Sequence, residues 1–532
     1  MPKPKAPSKA SLAAAATALE LMKKQRQRQE KAPLYEAVVN YVRKHKVSFH
    51  TPGHKHGQAI PAAFRKFVGE TVFDMDLTLL AEVDSLHEPQ TVIRDAQMLA
   101  AEAYGADESY FLVNGSTAGN QAMILTTCQP GDLVLVPRNA HQSVLAGVLL
   151  AGCEPVFMRP EINKELGLYS NVTVGTVEAA LKRWPQVKAV LVTSPTYHGI
   201  AADVARIAEI VHEHGLPLLV DEAHGPHLKF HDELPLSAIE SGADMCVQST
   251  HKILAGMTQS SLLHVRKGRI DTGRLRKVLK LLTTTSPSYI LMSSIDMARR
   301  QMAMDGRRLL GRALKLARKA REEINKIEGL QCFGRECIGQ AGIYDLDETK
   351  LTIACNGTGA TGYEVAKELN KKYGIQVEYA DLFSVFLIVS FGNTDHEIRR
   401  LILGLRATAQ KMRSRKKRRS KIVRWELPGF SARPAVNPRY AFFAPKEVVT
   451  LEKAVGRVSA ETISPYPPGI PLVVPGERLD KEAVRAIRAL QAAGCRIQGP
   501  EDATLETLKV VKTRGRISEP GVEKGAGDAE EA

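Results

Sequence analysis

The 532-residue sequence contains no apolar stretch approaching the ~20 residues that a membrane-spanning helix requires, so no membrane span is expected. Cysteine is scarce and unpatterned: seven residues, at 128, 153, 246, 332, 337, 355 and 495, with no C-x-x-C. That scattered, odd set excludes a disulfide framework and lacks zinc-ligand spacing, so no metal site is expected. Cys153 and Cys246 lie in or beside apolar runs, which fits small core residues in a reducing, cytoplasmic compartment. There is no internal repeat, and the first 32 positions hold no aromatic residue. What is present, 44% hydrophobic and 25% charged residues, is the composition of a soluble globular protein long enough for two or three domains.

A formal net charge of +15 suggests a nucleic-acid partner until it is located. Residues 1–31 hold eight Lys/Arg against Glu20 and Glu30, and residues 411–424 hold nine Lys/Arg and no acid. These two stretches account for the whole excess. The remaining body is balanced and has no field to steer a polyanion, so no nucleic-acid partner is expected. Residues 1–32 read as a disordered basic extension, with an organellar targeting peptide as the alternative. The basic run at 411–425 reads as a linker and 513–532 as a disordered tail.

Between these stretches lie an N-terminal helical and loop segment (33–75), a large domain (76–328), a small α/β domain (329–410) and a C-terminal module (426–512). In the large domain, apolar runs of strand length alternate with helical patterns: Ser109–Val113, Leu133–Val136, Pro155–Phe157, Ala189–Val192, Leu216–Val220, Met245–Gln248 and Ser261–Val265. That alternation predicts βα units in a mostly parallel sheet. In the small domain, Ala341–Asp345 and Phe386–Ser390 read as strands around a helix at Tyr363–Tyr373, closed by a helix at Asp395–Arg413.

In an open α/β sheet, ligands bind beyond the carboxyl ends of the strands. Five such ends carry suitable chemistry. Asn114-Gly115-Ser116-Thr117 reads as strand, tight turn and helix start, a cradle for phosphate or an ordinary N-cap. His141 follows another strand and could lie on an aromatic ring or be a plain loop histidine. Thr196, in Ser194-Pro195-Thr196-Tyr197, offers a hydroxyl to a ligand or to its own turn. Asp221 ends an apolar strand with His224 three residues on, and no H-E-x-x-H accompanies it. Lys252 ends Ser249-Thr250-His251-Lys252, thirty-one residues after Asp221. A lysine that forms a Schiff base with pyridoxal phosphate needs a carboxylate against the pyridinium nitrogen, and Asp221 with Lys252 meets that need. The opposing reading is a surface lysine and a strand-end aspartate that never meet.

Taken together, these residues resemble the fold-type-I, pyridoxal-phosphate-dependent ornithine/lysine/arginine decarboxylases, in the short form without an N-terminal wing domain. The matching stretches are Phe49-His50-Thr51-Pro52-Gly53-His54-Lys55, Asp84-Ser85-Leu86-His87, Asn114–Asn120, Asp221-Glu222-Ala223-His224-Gly225, Ser249–Lys252, and Pro465–Pro471 with Pro475-Gly476-Glu477. The resemblance implies an α/β large domain with a mostly parallel sheet, a small α/β domain and a C-terminal α+β module. It implies that Lys252 carries pyridoxal 5'-phosphate, with Asp221 on the ring nitrogen and His141 on the ring face. Gly115, Ser116, Thr117, Ser249 and His251 would surround the phosphate, with Thr196 nearby, and His224 would meet the substrate carboxylate. It also implies a homodimer or dimer multimer, with Thr285 and Ser286 lent to the neighbouring site. Glu461 is the candidate contact for the cationic end of a basic amino acid. The expected reaction is α-decarboxylation of L-arginine to agmatine, a polyamine-forming step, with lysine or ornithine as alternative substrates. The competing readings are a fold-type-I aminotransferase, using Arg399, Arg400 or Arg406 for the carboxylate, and a non-catalytic binding protein.

Overall fold

The computed structural model describes residues 20, 22–163, 168–340, 342–414, 432–465, 470–492 and 494–512. The large domain is built on seven strands: β1 (Glu108–Leu112), β2 (Leu133–Pro137), β3 (Glu154–Met158), β4 (Ala189–Thr193), β5 (Leu218–Asp221), β6 (Met245–Gln248) and β7 (Ser261–Val265). Their order is β1-β7-β6-β5-β4-β2-β3. The run β3-β2-β4-β5-β6 is parallel, and β7 lies antiparallel to both β6 and β1. The central strands β2, β4 and β5 are nearly continuous apolar runs because helices cover both faces. Leu219 packs on one side with Val134, Val247 and Met123, while Leu218 and Val220 pack on the other with Val190, Ile207 and Val211.

Helices α1 (Pro33–Val42), α2 (Val92–Tyr104), α3 (Gly115–Thr127) and α4 (Gln142–Ala151) belong to the same domain. A short helix, α5 (Thr250–Ile253), carries Lys252, and a 37-residue helix, α6 (Tyr289–Asn325), runs from the large domain into the small one.

The amino-terminal expectation changes here. Residues 1–19 and 21 lie outside the described residues, but residues 22–29, expected to be disordered, are helical. Buried Arg299 and Asp296 of α6 supply what the polar composition lacked. Arg299 donates to the carbonyls of Gln29 (2.8 Å) and Lys31 (2.6 Å), while Asp296 Oδ2 accepts the Leu34 N–H at 3.1 Å. Helix ends leave such backbone groups without partners, and one buried ion pair satisfies both termini.

The small domain has four antiparallel strands, β8 (Gln331–Cys332), β9 (Lys350–Ala354), β10 (Tyr379–Ala380) and β11 (Ser384–Ile388), in the order β8-β9-β11-β10. Helices α7 (Gly362–Tyr373) and α8 (Asp395–Ser414) join its core. The strand expected at Ala341–Asp345 is not part of this sheet. Asp345–Leu346 pairs instead with Ile200–Ala201 of the large domain, and β9 takes the central place. β9 did not read as a core strand because it begins with a lysine, which is buried against Asp347, itself held by His227 of the large domain. The basic linker expected at 411–425 starts inside a helix, because 411–414 form the last turn of α8, where Lys411 pairs with Glu368 and Arg413 with Glu328. Its remainder from 415, and the tail beyond 512, lie outside the described residues.

The C-terminal module pairs β12 (Lys446–Thr450) with β13 (Thr507–Val511) and packs α9 (Lys481–Ala492) over its own core of Leu451, Ile463, Leu479, Ile487 and Leu508. Among the described residues, no helix is long and apolar enough to cross a membrane.

Two buried histidines make stability depend on acid. Burial pushes His264 down to about 3 and His198 down to about 4. The unfolded chain takes up these protons near pH ~6.5, so each contribution is full above that value and is lost as pH falls toward the folded pKa. Each is worth about 1.4 kcal/mol per pH unit in that window. The thermal midpoint is therefore expected to fall steadily when pH is lowered from about 7 to about 4.5. A flat melting profile across that range would show that neither ring is held neutral.

Candidate active site

Parallel register puts the last residue of β5, Asp221, beside Thr193 of β4 and Val247 of β6. The turns beyond these strands therefore share one edge of the sheet. Lys252 reaches this edge from α5, where its Nζ lies 3.0 Å from His224 Nε2 and 5.7 Å from the centre of the Tyr197 ring. The Tyr197 and His224 rings stand 4.8 Å apart. Burial holds the Lys252 amine below the ordinary lysine range, with Asp221 and Glu378 pulling the other way. A lowered lysine keeps more of its neutral, nucleophilic form. Burial, reinforced by Lys252 and by Lys350 of the small domain, holds His224 well below its ordinary value, so it is neutral.

Asp221 is buried, and its Oδ2 accepts from Asn120 Nδ2 at 2.9 Å while Oδ1 accepts the Ala223 N–H at 3.2 Å. Asn120 also donates to Ser143 Oγ at 2.9 Å, and that hydroxyl lies 2.7 Å from His141 Nδ1. His141 is the N-cap of α4 and its Nδ1 accepts the Ser143 N–H, which assigns the proton of the neutral ring to Nε2. Burial lowers His141 too. Asn120 and Ser143 had no assigned role in the sequence. Asn120 sits at i+4 from Ser116, on the same helical face, and that spacing was the available signal.

At the start of α3, Gly115 adopts φ +68° and Asn114 makes no side-chain cap, so no side chain claims the first-turn N–H groups. Ser249 Oγ donates to Ser116 Oγ at 2.9 Å. A Cβ on Gly119 would fall 2.3 Å from Val247, so only glycine lets α3 lie this close to β6 and bring the two serines together. Thr117 is exposed beside them. His251 Nδ1 lies 2.9 Å from the Ser260 carbonyl, and the hydroxyls of Thr196, Thr250 and Ser260 are buried without partners. Free amides at a helix start, two converging serines and unmatched buried hydroxyls are the donor set that a phosphate ester needs. Among the described residues, no group of three or more His, Cys, Asp or Glu could hold a metal ion.

The chain matches two family descriptions, "Orn/Lys/Arg decarboxylase, major domain" over residues 32–397 and "Orn/Lys/Arg decarboxylase, C-terminal domain" over residues 426–516. It belongs to the Orn/Lys/Arg decarboxylase family. An arginine decarboxylase of Halalkalibacterium halodurans is 43% identical over 92% of this chain and 99% of its own length. An arginine decarboxylase of Bacillus subtilis is 40% identical over the same shares. The crystal structure of the Francisella novicida lysine decarboxylase LdcF superposes with a TM-score of 0.78 at 24% identity, covering 90% of this chain and 81% of that one, and shows the shared fold.

As a decarboxylase of this family, the protein gathers Lys252, Asp221, His224, His141, Ser116, Ser249 and Thr196 at or around one sheet edge. Other expected residues stand apart within the chain. The Glu461 carboxylate accepts the N–H groups of Glu501 (2.8 Å) and Lys509 (2.7 Å), so it is engaged inside the C-terminal module. Thr285 and Ser286 are exposed, in the segment between Leu282 and Tyr289. Tyr466–Gly469 of the proline-rich motif lie outside the described residues. Arg399, Arg400 and Arg406 are exposed on α8, and Arg400 donates to the Tyr373 carbonyl.

Proposed function

We propose that this decarboxylase converts L-arginine to agmatine and CO2 with pyridoxal 5'-phosphate, as a cytoplasmic homodimer or multimer of dimers. The observation that carries the reading is the convergence of a lowered lysine, a neutral histidine and a buried, doubly bonded aspartate at the carboxyl edge of β4, β5 and β6. The arginine preference rests on the relatives matched over nearly their whole length. The seven cysteines are all buried and none forms a disulfide, which suits a reducing compartment.

When bound, the cofactor supplies an electron sink for the pair released as the Cα–carboxylate bond breaks. The protein's own residues do the rest. Lys252 supplies the amine that holds the cofactor. Asp221 would keep the ring nitrogen protonated, and Asn120 fixes its Oδ2 so that no reorganisation is needed. His141 would pack on the ring face, with Ser143 setting its tautomer. Ser116, Thr117, Ser249 and His251, with the first-turn amides of α3 that follow Gly115 (whose own N–H donates to the Gln259 carbonyl at 2.8 Å), would hold the phosphate, and Thr196 would donate its unmatched hydroxyl to it or to the ring oxygen. His224, uncharged, adds no cation that would anchor the departing carboxylate. Its Nε2 exchanges a proton with Lys252 Nζ, so either can return one to Cα.

Exposed Val47, Phe49, Phe67 and Leu281 give a second copy apolar surface to cover, and Thr285 and Ser286 an edge to lend to its site. The aminotransferase reading finds no support in the small domain, whose candidate arginines face solvent. The deciding experiment incubates the pure protein and pyridoxal phosphate with arginine, lysine and ornithine in turn, following CO2 and the amine formed. Arginine is expected to exceed the others by at least about tenfold in kcat/KM. Faster release from lysine or ornithine would reassign the substrate, and keto-acid-dependent turnover without CO2 would restore the aminotransferase.

A further inference from the structure

Helix α4, whose N-cap is His141, is gripped near both ends by the C-terminal module. Arg138 follows β2 directly and lies three residues before His141. Its Nη1 donates to the Pro471 carbonyl at 2.6 Å, and its Nη2 donates to the Leu472 carbonyl at 2.9 Å and to Glu477 Oε2 at 3.0 Å. The guanidinium also lies 5.0 Å from the centre of the Phe157 ring, on β3. Glu477 is tied to its own turn by the Val474 N–H at 2.9 Å. The two charged side chains are only 6% and 11% exposed, so the grip is dry and intolerant of a lost partner.

At the far end, Arg439 Nη1 donates to the carbonyls of Leu149 (3.2 Å) and Leu150 (2.9 Å), and Asn437 Nδ2 reaches the Gly152 carbonyl at 3.4 Å. These carbonyls belong to the last turn of α4 and the residue after it, where helices lack internal partners and favour a cation. A ten-residue helix is a stiff rod of about 15 Å, so a hold at one end is felt at the other. The first turn of α4 passes that position onward, because Ser143 bonds both His141 and Asn120, and Asn120 bonds Asp221.

We infer that the C-terminal module positions the ring-facing histidine: Arg138 with Glu477 at one end, and Arg439 at the other, set where α4 sits and thereby align His141 and Ser143 with Asp221. This rests on the reading of His141 as a cofactor contact. Arg138, Glu477 and Arg439 are positioning residues and act only through α4. A misplacement of about 1 Å in such a shell costs on the order of a hundredfold in turnover, so a partial loosening should cost about tenfold in cofactor affinity.

The test uses the full chain with Arg439→Ala, whose site is exposed and tolerant, and Glu477→Gln, which keeps the shape and removes the charge. Arg488→Ala, which breaks a pair with Glu452 inside the same module, is the control. Two quantities are read: amide hydrogen exchange over residues 142–151 in cofactor-free protein, and the pyridoxal phosphate dissociation constant. R439A and E477Q are each expected to speed α4 exchange, relative to β5, and weaken cofactor binding, both by about tenfold, with Arg439→Lys restoring part of each and R488A matching wild type. Unchanged exchange or unchanged affinity in both variants overturns the inference, as does equal loosening in R488A. If wild type itself binds no cofactor, the reading of the site falls and this inference with it. Wild-type binding with indifferent variants removes this inference alone.

Discussion

Lys252→Ala is expected to leave a folded protein that releases CO2 from arginine at least about a thousandfold more slowly and no longer retains pyridoxal phosphate after borohydride treatment. The lysine is not a packing residue. Its amine contacts His224 Nε2 at 3.0 Å in a partly buried pocket, so its removal opens space for water without tearing the core. The loss is chemical, since among the described residues Lys252 is the lysine in hydrogen-bond contact with His224, and burial there lowers its amine. Lys252→Arg should fail as completely, because guanidinium does not deprotonate near neutral pH. Circular dichroism separates these outcomes from misfolding, and peptide mapping after reduction of the wild type should place the cofactor on residue 252. Residual turnover above about one per cent in the alanine variant would mean that the reaction does not run through this amine.

Asp347→Asn is expected to destabilise the protein by about 3–5 kcal/mol at neutral pH. Asp347 Oδ2 lies 2.9 Å from Lys350 Nζ and 3.0 Å from His227 Nε2, and Oδ1 accepts the Thr349 hydroxyl at 2.6 Å. All three ionisable side chains are fully buried. Burial alone would raise the carboxyl, but Lys350 and His227 outweigh it and hold it far below the usual carboxylate range. The group therefore contributes stability above the unfolded pKa of about 3.9 and loses it as pH falls below that value. Removing the anion leaves the Lys350 ammonium buried without a counter-charge, at the seam where His227 of the large domain meets β9 of the small one. Lys350 also helps keep His224 neutral, so the same change should disturb the active site's pH profile. Urea unfolding of wild type, Asp347→Asn and Asp347→Asn with Lys350→Met tests the account, with the double variant recovering part of the loss. A single variant within about 1 kcal/mol of wild type would show the cluster to be dispensable.

Much of the candidate site's sheet edge was legible in the chain. The central strands were readable because burial on both faces makes them largely apolar runs, and the site residues were readable because they end those runs. Asp221 and Lys252 are thirty-one residues apart yet stand at the same edge because adjacent parallel strands carry them there, with Lys252 Nζ on His224 and Asp221 on Asn120 and the Ala223 N–H. β9 was missed because its first residue is a lysine, and its partner Asp347 is not read as a counter-charge from sequence. The helix at 22–29 was missed because its composition is that of a solvated tail, while the groups that hold it, Arg299 and Asp296, lie some 270 positions away.

The succession of apolar runs and the polar residues closing them determined, by themselves, a mostly parallel sheet and which polar residues gather along its carboxyl edge. Strand periodicity and crossover handedness are rules that a linear pattern can carry. Only the tertiary structure decided which polar groups share partners: Arg138 with Glu477, Arg299 with Gln29, Asp347 with His227, and Asn120 with Asp221. Hydrogen bonds and buried ion pairs act over about 3 Å and have no period along the chain, so their pairings exist only once the fold has brought distant segments together.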